Sequence, residues 1–265
     1  MHYGPWAVVA GASEGLGAAF AQALAERKLN LILIARRKEL LEELASHLMK
    51  EYNVEIYVLP LDLASPDAAE RICQETEALD VGLLIYNAAF SAVGTFLKKT
   101  QEDHLKEVDT NVRTPLRLVY HFGARMLAAG QGGIVLMTSL SAFQGSAYIS
   151  NYSATKAFNL ILAEGLWEEW RHDGVDVLAC IAGAIRTPNY LASRPIRTGR
   201  FSDATLEPNK VVTETLEALG HQPTVIPGKM NRLSSFVMRR LLSRQAGIRF
   251  MGSVLRSMYV HDPDV

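Results

Sequence analysis

The 265-residue chain lacks the features that mark several large classes of protein. Its two cysteines, Cys73 and Cys180, are far apart and form no CxxC pair, so we expect neither a disulfide framework nor a cysteine-based metal site. No apolar run reaches the ~18–20 residues that a membrane span requires. The opening residues contain no basic stretch followed by an apolar one. The sequence therefore predicts no secretory signal and favours a cytoplasmic location.

The chain also lacks an excess of charge of either sign. Its formal net charge of −1 gives no electrostatic reason to expect a nucleic-acid partner. The seven histidines are scattered without the spacing of metal ligands, so no metal site is expected. Hydrophobic residues make up 49% of the chain, which is enough to bury a full core.

The sequence does have a regular alternation of short apolar runs and amphipathic stretches. Six runs rich in valine, isoleucine and leucine are predicted to be buried strands, at 6–10, 29–35, 54–59, 82–86, 134–138 and 175–181. Helical patterns lie at about 15–28, 38–50, 66–78, 101–128 and 153–172. This order predicts an α/β fold, a doubly wound, Rossmann-like parallel sheet with helices on both faces. We expect residues 1–228 to form the main domain, and residues 229–265 to form a basic, apolar helical extension of it.

A glycine-rich turn joins the first strand to the first helix. Gly11, Gly15 and Gly17 follow the strand, with Ser13 and Leu16 between them. Glycines at this point let the backbone approach a pyrophosphate, whose charge is met by the N-terminus of the following helix. The turn therefore predicts a dinucleotide site.

The end of the second strand indicates which dinucleotide is bound. It reads Arg36-Arg37, with no acidic residue between positions 31 and 38. Arginine can pair with the 2′-phosphate of NADP, whereas an acid would bind the ribose hydroxyls of NAD, so we favour NADP(H). Glu14 argues against this choice because its carboxylate would repel the phosphate, and the arginines could also be a solvated strand end. Asp62 could accept a hydrogen bond from the adenine amino group or cap the next helix.

Tyr152 and Lys156 are the most informative pair in the chain. They are four residues apart, so in a helix the phenol and the ammonium lie on one face. A neighbouring cation lowers the pKa of a phenol, which can then exchange a proton with a carbonyl or alcohol oxygen.

With these motifs in place, the chain resembles the short-chain dehydrogenase/reductase family over roughly residues 5–190. The resemblance rests on motifs that follow the family's order: the glycine turn, Asn87 after the fourth strand, Asn111 in the central helix, Ser139 thirteen residues before Tyr152, the Tyr152–Lys156 pair and the segment 182–187. Four positions depart from the family pattern: Ala10, Tyr86, Ala89 and Ala182. We expect these departures to alter loop geometry and to leave the chemistry intact.

The resemblance implies a role for each matched residue. Tyr152 would be the acid in reduction and the base in oxidation, and Lys156 would hold the nicotinamide ribose and lower the pKa of Tyr152. Ser139 would donate a hydrogen bond to the substrate oxygen. Asn111 would kink its helix and hold a water that relays protons. The remaining matches would contact the cofactor: the glycine turn, Asn87, Ile185 and Thr187. Residues 1–228 are therefore expected to be the dinucleotide-binding and catalytic domain.

The residues around this pair point to an apolar substrate. The segments 142–143 and 147–149 are apolar and precede Tyr152, which favours a hydrophobic carbonyl or secondary alcohol. A ketone, a 3-oxoacyl thioester and a steroid remain open, and we expect a homodimer or homotetramer. The alternative is a catalytically idle NADP(H)-binding regulatory protein of the same fold.

The C-terminal segment contains basic residues and no acidic ones. Between Glu217 and Asp262 the positive charges are Lys229, Arg232, Arg239, Arg240, Arg244, Arg249 and Arg256. Apolar residues are interleaved with them. Three interpretations stay open: a cover for the pocket or a subunit interface, a peripheral contact with an anionic membrane, and a surface for an acidic carrier protein.

Overall fold

A computed structural model describes residues 3–188, 190 and 205–259 of the chain. The stretch 187–208, in which three prolines and one glycine among polar residues predict a long loop, falls largely outside the described residues. Within them the chain forms one parallel sheet of seven strands, in the order β3-β2-β1-β4-β5-β6-β7. The strands are β1 (Trp6–Ala10), β2 (Asn30–Ala35), β3 (Ile56–Pro60), β4 (Val81–Tyr86), β5 (Gly132–Ser139), β6 (Val175–Ala182) and β7 (Thr224–Val225).

Helices connect the strands and cover both faces of the sheet. They are α1 (Gly15–Glu26), α2 (Lys38–Tyr52), α3 (Ala68–Glu75), α4 (Gln101–Val108), α5 (Thr114–Ala129), α6 (Ser150–Trp170), α7 (Pro208–Ala218), α8 (Lys229–Arg240) and α9 (Arg244–Tyr259). Short 3-10 turns lie at Phe96–Lys98 and Leu140–Phe143. The predicted doubly wound, Rossmann-like sheet is confirmed.

The alternation of side chains along the strands divides the core into two layers. In β1, Ala7 and Val9 pack with α1, α2 and α7 on one face, and Val8 packs with α3, α5 and α6 on the other. Both sets are buried because every inner strand is covered on both sides, which is why these runs are apolar throughout. Strand order reverses between β1 and β4, and a doubly wound sheet binds its ligand at such a switch point.

The structure corrects the sequence prediction in two places. The helix predicted at 101–128 is divided into α4 and α5 by a π-helical turn over Asp109–Arg113. The edge strand β7 was not predicted, because it has only two residues and follows Pro223. The other strand bounds agree with the apolar runs to within about two residues.

Candidate active site

The glycine turn forms a cradle beside the carboxyl ends of β1 and β4. Gly11 has φ +83°, and a Cβ there would lie 2.8 Å from the backbone of Ala88. A Cβ on Gly17 would collide with the carbonyl oxygen of Gly11. Only glycine permits this close packing of the turn, the helix start and the neighbouring strand end. The cradle leaves the N-terminus of α1 without a side-chain cap, as an anion site requires.

Asn87 holds this cradle against the end of β4. Its Nδ2 donates to the carbonyl oxygen of Gly11 at 3.0 Å, and its backbone N–H donates to that of Ala10 at 3.0 Å. The departure at Tyr86 has a structural role, because its buried hydroxyl donates to the carbonyl oxygen of Thr110 at 2.6 Å. Tyr86 thereby ties the strand end to the helical segment that contains Asn111.

The two arginines after β2 occupy different environments. Arg37 forms an ion pair with Glu14 at 2.7 Å and donates to the hydroxyl of Ser13 at 2.9 Å. Arg36 is exposed and forms no ion pair with any residue that the structure describes. The Glu14 carboxylate is therefore compensated by Arg37, while Arg36 is accessible at the same edge.

Asp62 lies beyond the end of β3 and does not cap α3. Its Oδ1 accepts a hydrogen bond from the backbone N–H of Ala64 at 3.1 Å, which closes a local turn. Asp67 occupies the residue before α3. The helix-cap interpretation of Asp62 is therefore wrong, because the helix starts farther along the chain than predicted.

The segment after β6 closes the cradle from the other side. A Cβ on Gly15 would lie 3.0 Å from the side chain of Thr187. Ile185 forms an isolated bridge with Leu206, and the backbone N–H of Thr187 donates to the carbonyl oxygen of Ile185 at 2.8 Å. The glycine turn and this segment therefore contact each other at the edge of the cradle. Their backbone donors and the helix N-terminus suit the pyrophosphate of a nicotinamide dinucleotide.

Ser139, Tyr152 and Lys156 come together at the carboxyl ends of β5 and β6. Ser139 is the last residue of β5, and its Oγ accepts from the backbone N–H of Ser141 at 3.2 Å. The helix α6 begins at Ser150, so Tyr152 lies in its first turn and Lys156 one turn farther on. The Lys156 ammonium lies 5.6 Å from the centre of the Tyr152 ring.

Burial dominates the electrostatics of this group. It raises the pKa of Tyr152 to about 12, while a hydrogen bond with Ser139 acts in the lowering direction. Burial also lowers the pKa of Lys156 to about 8, and its Nζ donates to the carbonyl oxygen of Met137 at 2.8 Å. The lowering of the Tyr152 pKa that we expected from Lys156 is not found in this arrangement, where the lowering contact is the one with Ser139. The phenol is held protonated, which is the form that an acid in ketone reduction requires.

Asn111 lies in the π-helical turn and is fully buried. Its side chain pairs with the backbone of Phe90: Oδ1 accepts from the N–H at 2.9 Å and Nδ2 donates to the carbonyl at 2.8 Å. Nδ2 also donates to the hydroxyl of Thr155 at 3.0 Å, and the backbone carbonyl of Asn111 accepts from Nδ2 of Asn159 at 2.9 Å. Asn111 therefore links the helical turn to the loop after β4 and to α6.

Sequence reasoning missed several residues that support the site. Glu107, Asn151, Thr155 and Asn159 all hydrogen-bond within this network. The spacing of Glu107, four residues before Asn111, and of Thr155, three after Tyr152, places each on the site-facing side of its helix. This helical spacing is the sequence signal by which Glu107 and Thr155 could have been predicted as site residues. Among the described residues, no cluster of three or more potential metal ligands is found, and no helix there is long and apolar enough to cross a membrane.

The fold and the site define a dinucleotide-dependent oxidoreductase. Comparison with known proteins gives the family. The family model for short chain dehydrogenases matches residues 5–195, and the chain belongs to this family. A 7beta-hydroxysteroid dehydrogenase of Clostridium sardiniense is 36% identical over 230 residues, which cover 87% of this chain and 88% of the relative.

Solved structures support the same family. A structure described in a study of 7beta-hydroxysteroid dehydrogenase stereoselectivity has a TM-score of 0.90 and 31% identity, and the match covers 95% of this chain and 98% of that one. A short-chain dehydrogenase from Sphingobium yanoikuyae in complex with NADPH has a TM-score of 0.76 and 28% identity, over 89% of this chain and 94% of that one.

Proposed function

We propose that the protein uses NADP(H) to interconvert a hydrophobic, steroid-like ketone and its secondary alcohol. The observation that carries the proposal is the grouping of Ser139, Tyr152 and Lys156 at the sheet edge where the glycine cradle opens. An idle regulatory protein of the same fold would not need a half-buried phenol hydrogen-bonded to a serine in this place.

The preference for NADP(H) rests on the edge formed by Ser13, Arg36 and Arg37. The two arginines contribute two positive charges and Glu14 contributes one negative charge, so the net charge of this edge is positive. Because Arg37 pairs with Glu14 at 2.7 Å, the charge of Arg37 screens a bound phosphate from the Glu14 carboxylate. The exposed Arg36 is then the principal partner for the 2′-phosphate. The NADPH complex of the Sphingobium yanoikuyae relative supports the same choice.

In the proposed reaction, each residue of the site has a separate role. The bound nicotinamide supplies or accepts the hydride. Ser139 and Tyr152 direct their hydroxyls to the substrate oxygen, and Tyr152 transfers the proton to it in reduction. Lys156 is positioned behind the phenol for the ribose hydroxyls, and its charge stabilises the phenolate that follows. Asn111 keeps the helical turn and α6 in register.

The proposed substrate class follows from the walls of the site and from the relatives. Phe143 and Ala147 precede Tyr152 and contact the C-terminal helices: Arg239 lies 4.2 Å from the ring centre of Phe143, and a Cβ on Gly252 would lie 3.7 Å from Ala147. A wall of this kind accommodates a large apolar body with few polar groups. Relatives with 36% and 32% identity are 7beta-hydroxysteroid dehydrogenases, which favours a steroid over a 3-oxoacyl thioester.

We assign the C-terminal helices to the cover of this pocket. Besides the contacts at Phe143 and Ala147, Tyr259 at the end of α9 is close enough to Tyr152 that its ionised form would raise the pKa of the Tyr152 phenol. Asn231 of α8 packs against Gly183, so the cover also contacts the segment that flanks the nicotinamide site. No contact in the part of the chain that the structure describes favours the acidic-carrier interpretation.

Apolar residues on two other surfaces suggest how the protein assembles. On α5 and α6, Tyr120 is 81% exposed and Ile161 is 65% exposed, and they fit a homodimer interface. On α8 the exposed apolar residues lie among basic ones, which fits an anionic membrane surface. Light scattering and sedimentation with anionic liposomes at low and high salt separate these partners. We expect a cytoplasmic protein.

The experiment that tests the proposed function combines binding with turnover. Fluorescence titration with NADPH and NADH should give the lower dissociation constant for NADPH. A panel of hydroxysteroids, bulky ketones and 3-oxoacyl thioesters, followed by NADPH absorbance, should give its highest kcat/KM with a ketosteroid. Tight NADPH binding with no turnover on any member would favour the regulatory alternative.

A further inference from the structure

Glu107 is a buried acidic residue to which the proposed chemistry gives no role. Its side chain is 1% exposed and lies at the end of α4, four residues before Asn111. Its Oε1 accepts from the backbone N–H of Ala92 at 2.7 Å. Its Oε2 accepts from Nδ2 of Asn151 at 2.6 Å. A buried carboxylate is costly unless both oxygens are hydrogen-bonded, and here both are.

These two bonds join the loop after β4 to the residue before Tyr152. Three alternate residues of that loop are held in place from the same side: Phe90 by Asn111, Ala92 by Glu107, and Gly94 by the carbonyl oxygen of Tyr148 at 2.8 Å. Glu107 is the middle one of the three supports, and only it reaches onward to Asn151.

We propose that Glu107 is a positioning residue, which fixes the Phe90–Gly94 segment against the start of α6 so that Tyr152 is aligned for proton transfer. The inference rests on the proposed function of Tyr152. Asn151 completes the link, because its Nδ2 donates both to Glu107 and to the carbonyl oxygen of His104 at 3.0 Å. The amide orientation is therefore determined by two acceptors.

The charge of Glu107 acts on the same phenol. It raises the pKa of Tyr152, in the same direction as burial. The titratable groups that face the Glu107 carboxylate are His104 of its own helix, whose Nδ1 lies 3.9 Å from Oε2, and Tyr152 of α6. Ala92 and Asn151 contribute neutral donors. Removing the charge should therefore make Tyr152 easier to deprotonate.

The replacement Glu107→Gln keeps the shape and removes the charge. Its amide oxygen can still accept from Ala92, but its amide nitrogen meets the donor Nδ2 of Asn151 and loses that bond. We expect kcat to fall by about tenfold or more, and the alkaline limb of kcat for reduction to move to lower pH, because the phenol must stay protonated. The matched control is Glu102→Gln, an exposed glutamate of the same helix, which should change neither quantity.

A second variant separates position from charge. Asn151→Ala breaks the bridge and leaves the carboxylate, so kcat should fall while the alkaline limb stays in place. A fall in kcat for Glu107→Gln with an unmoved pH limb would reduce Glu107 to a structural residue and overturn the proposal. An unchanged kcat would overturn it as well.

Amide hydrogen exchange tests the link without any turnover. In Glu107→Gln with NADPH bound, the Ala92 amide should exchange faster, because a neutral amide oxygen is a weaker acceptor than a carboxylate, while the Phe90 amide held by Asn111 stays protected. Unaltered exchange at Ala92 together with unaltered kcat would show that Glu107 does not position the active site. If the parent protein turns over no carbonyl compound, the proposed function fails while this exchange result still reports on the link.

Discussion

The inner strands of the sheet and the helix α8 use their apolar residues in opposite ways. In β1, β2 and β4 almost every apolar side chain is buried, and each run is apolar because both faces of the sheet are covered. In α8 the buried residues are the polar Asn231 and Ser235, whereas Met230, Leu233 and Phe236 are exposed. The apolar pattern of the strands is explained by the fold, whereas the apolar pattern of α8 is not explained by burial among the described residues.

The largest expected effect lies at the site that the sheet supports. Tyr152→Phe keeps the ring and its packing and removes the transferable proton, so turnover should fall by about 10²–10⁴-fold. NADPH affinity should stay nearly unchanged, because the cradle is untouched. The measurement is kcat with NADPH and a reactive ketone, beside Tyr120→Phe, whose ring is 81% exposed. Retention of more than about a tenth of the parent kcat would contradict the role of Tyr152.

A pair of phenylalanines tests the contrast between the two regions directly. Phe122 of α5 is fully buried, and Phe122→Ala should lower the free energy of unfolding by about 3–5 kcal/mol. Phe236 of α8 is 57% exposed, and Phe236→Ala should change the free energy of unfolding by no more than about 0.5 kcal/mol. Urea unfolding of the two variants gives both values. Equal losses would mean that the apolar residues of α8 stabilise this chain by itself.

A smaller effect is expected at the cofactor edge. Arg36→Asp removes a partner of the 2′-phosphate and adds a repelling charge, so the NADPH dissociation constant should rise by about 10–100-fold relative to that of NADH. Arg27→Asp makes the same change of charge at the far end of α1 and should leave the ratio unchanged. Titration of each variant with both cofactors decides the matter. An unaltered ratio in Arg36→Asp would make Arg36 a solvated strand end.

The sequence predicted the parts of the molecule that local pattern determines. The strands from Trp6 to Ala182 follow from apolar runs, and the glycine turn follows from its spacing after β1. The break at Asp109–Arg113 could not be located from local pattern, because an i→i+5 turn has no residue signature of its own. The resemblance to the family suggested only that Asn111 kinks its helix.

Contacts between distant segments were also beyond the sequence. The ion pair between Arg37 and Glu14 joins two turns that are 23 residues apart, and it removes the objection that Glu14 raised against NADP(H). The bridge from Glu107 to Asn151 spans 44 residues. Each of these depends on the crossover connections that bring strand ends to one edge of the sheet, and no local pattern records them.

The most direct test of the central claim follows the hydride itself. The protein is incubated with a ketosteroid and NADPH carrying deuterium at both C4 positions, and the alcohol product is analysed by mass spectrometry and NMR. The account predicts one deuterium on the carbinol carbon of the product, and about 10²–10⁴-fold less of this product in the same incubation time when Tyr152→Phe replaces the parent protein. NADPH that binds tightly but yields no deuterated alcohol from any ketone of the panel would contradict an oxidoreductase function.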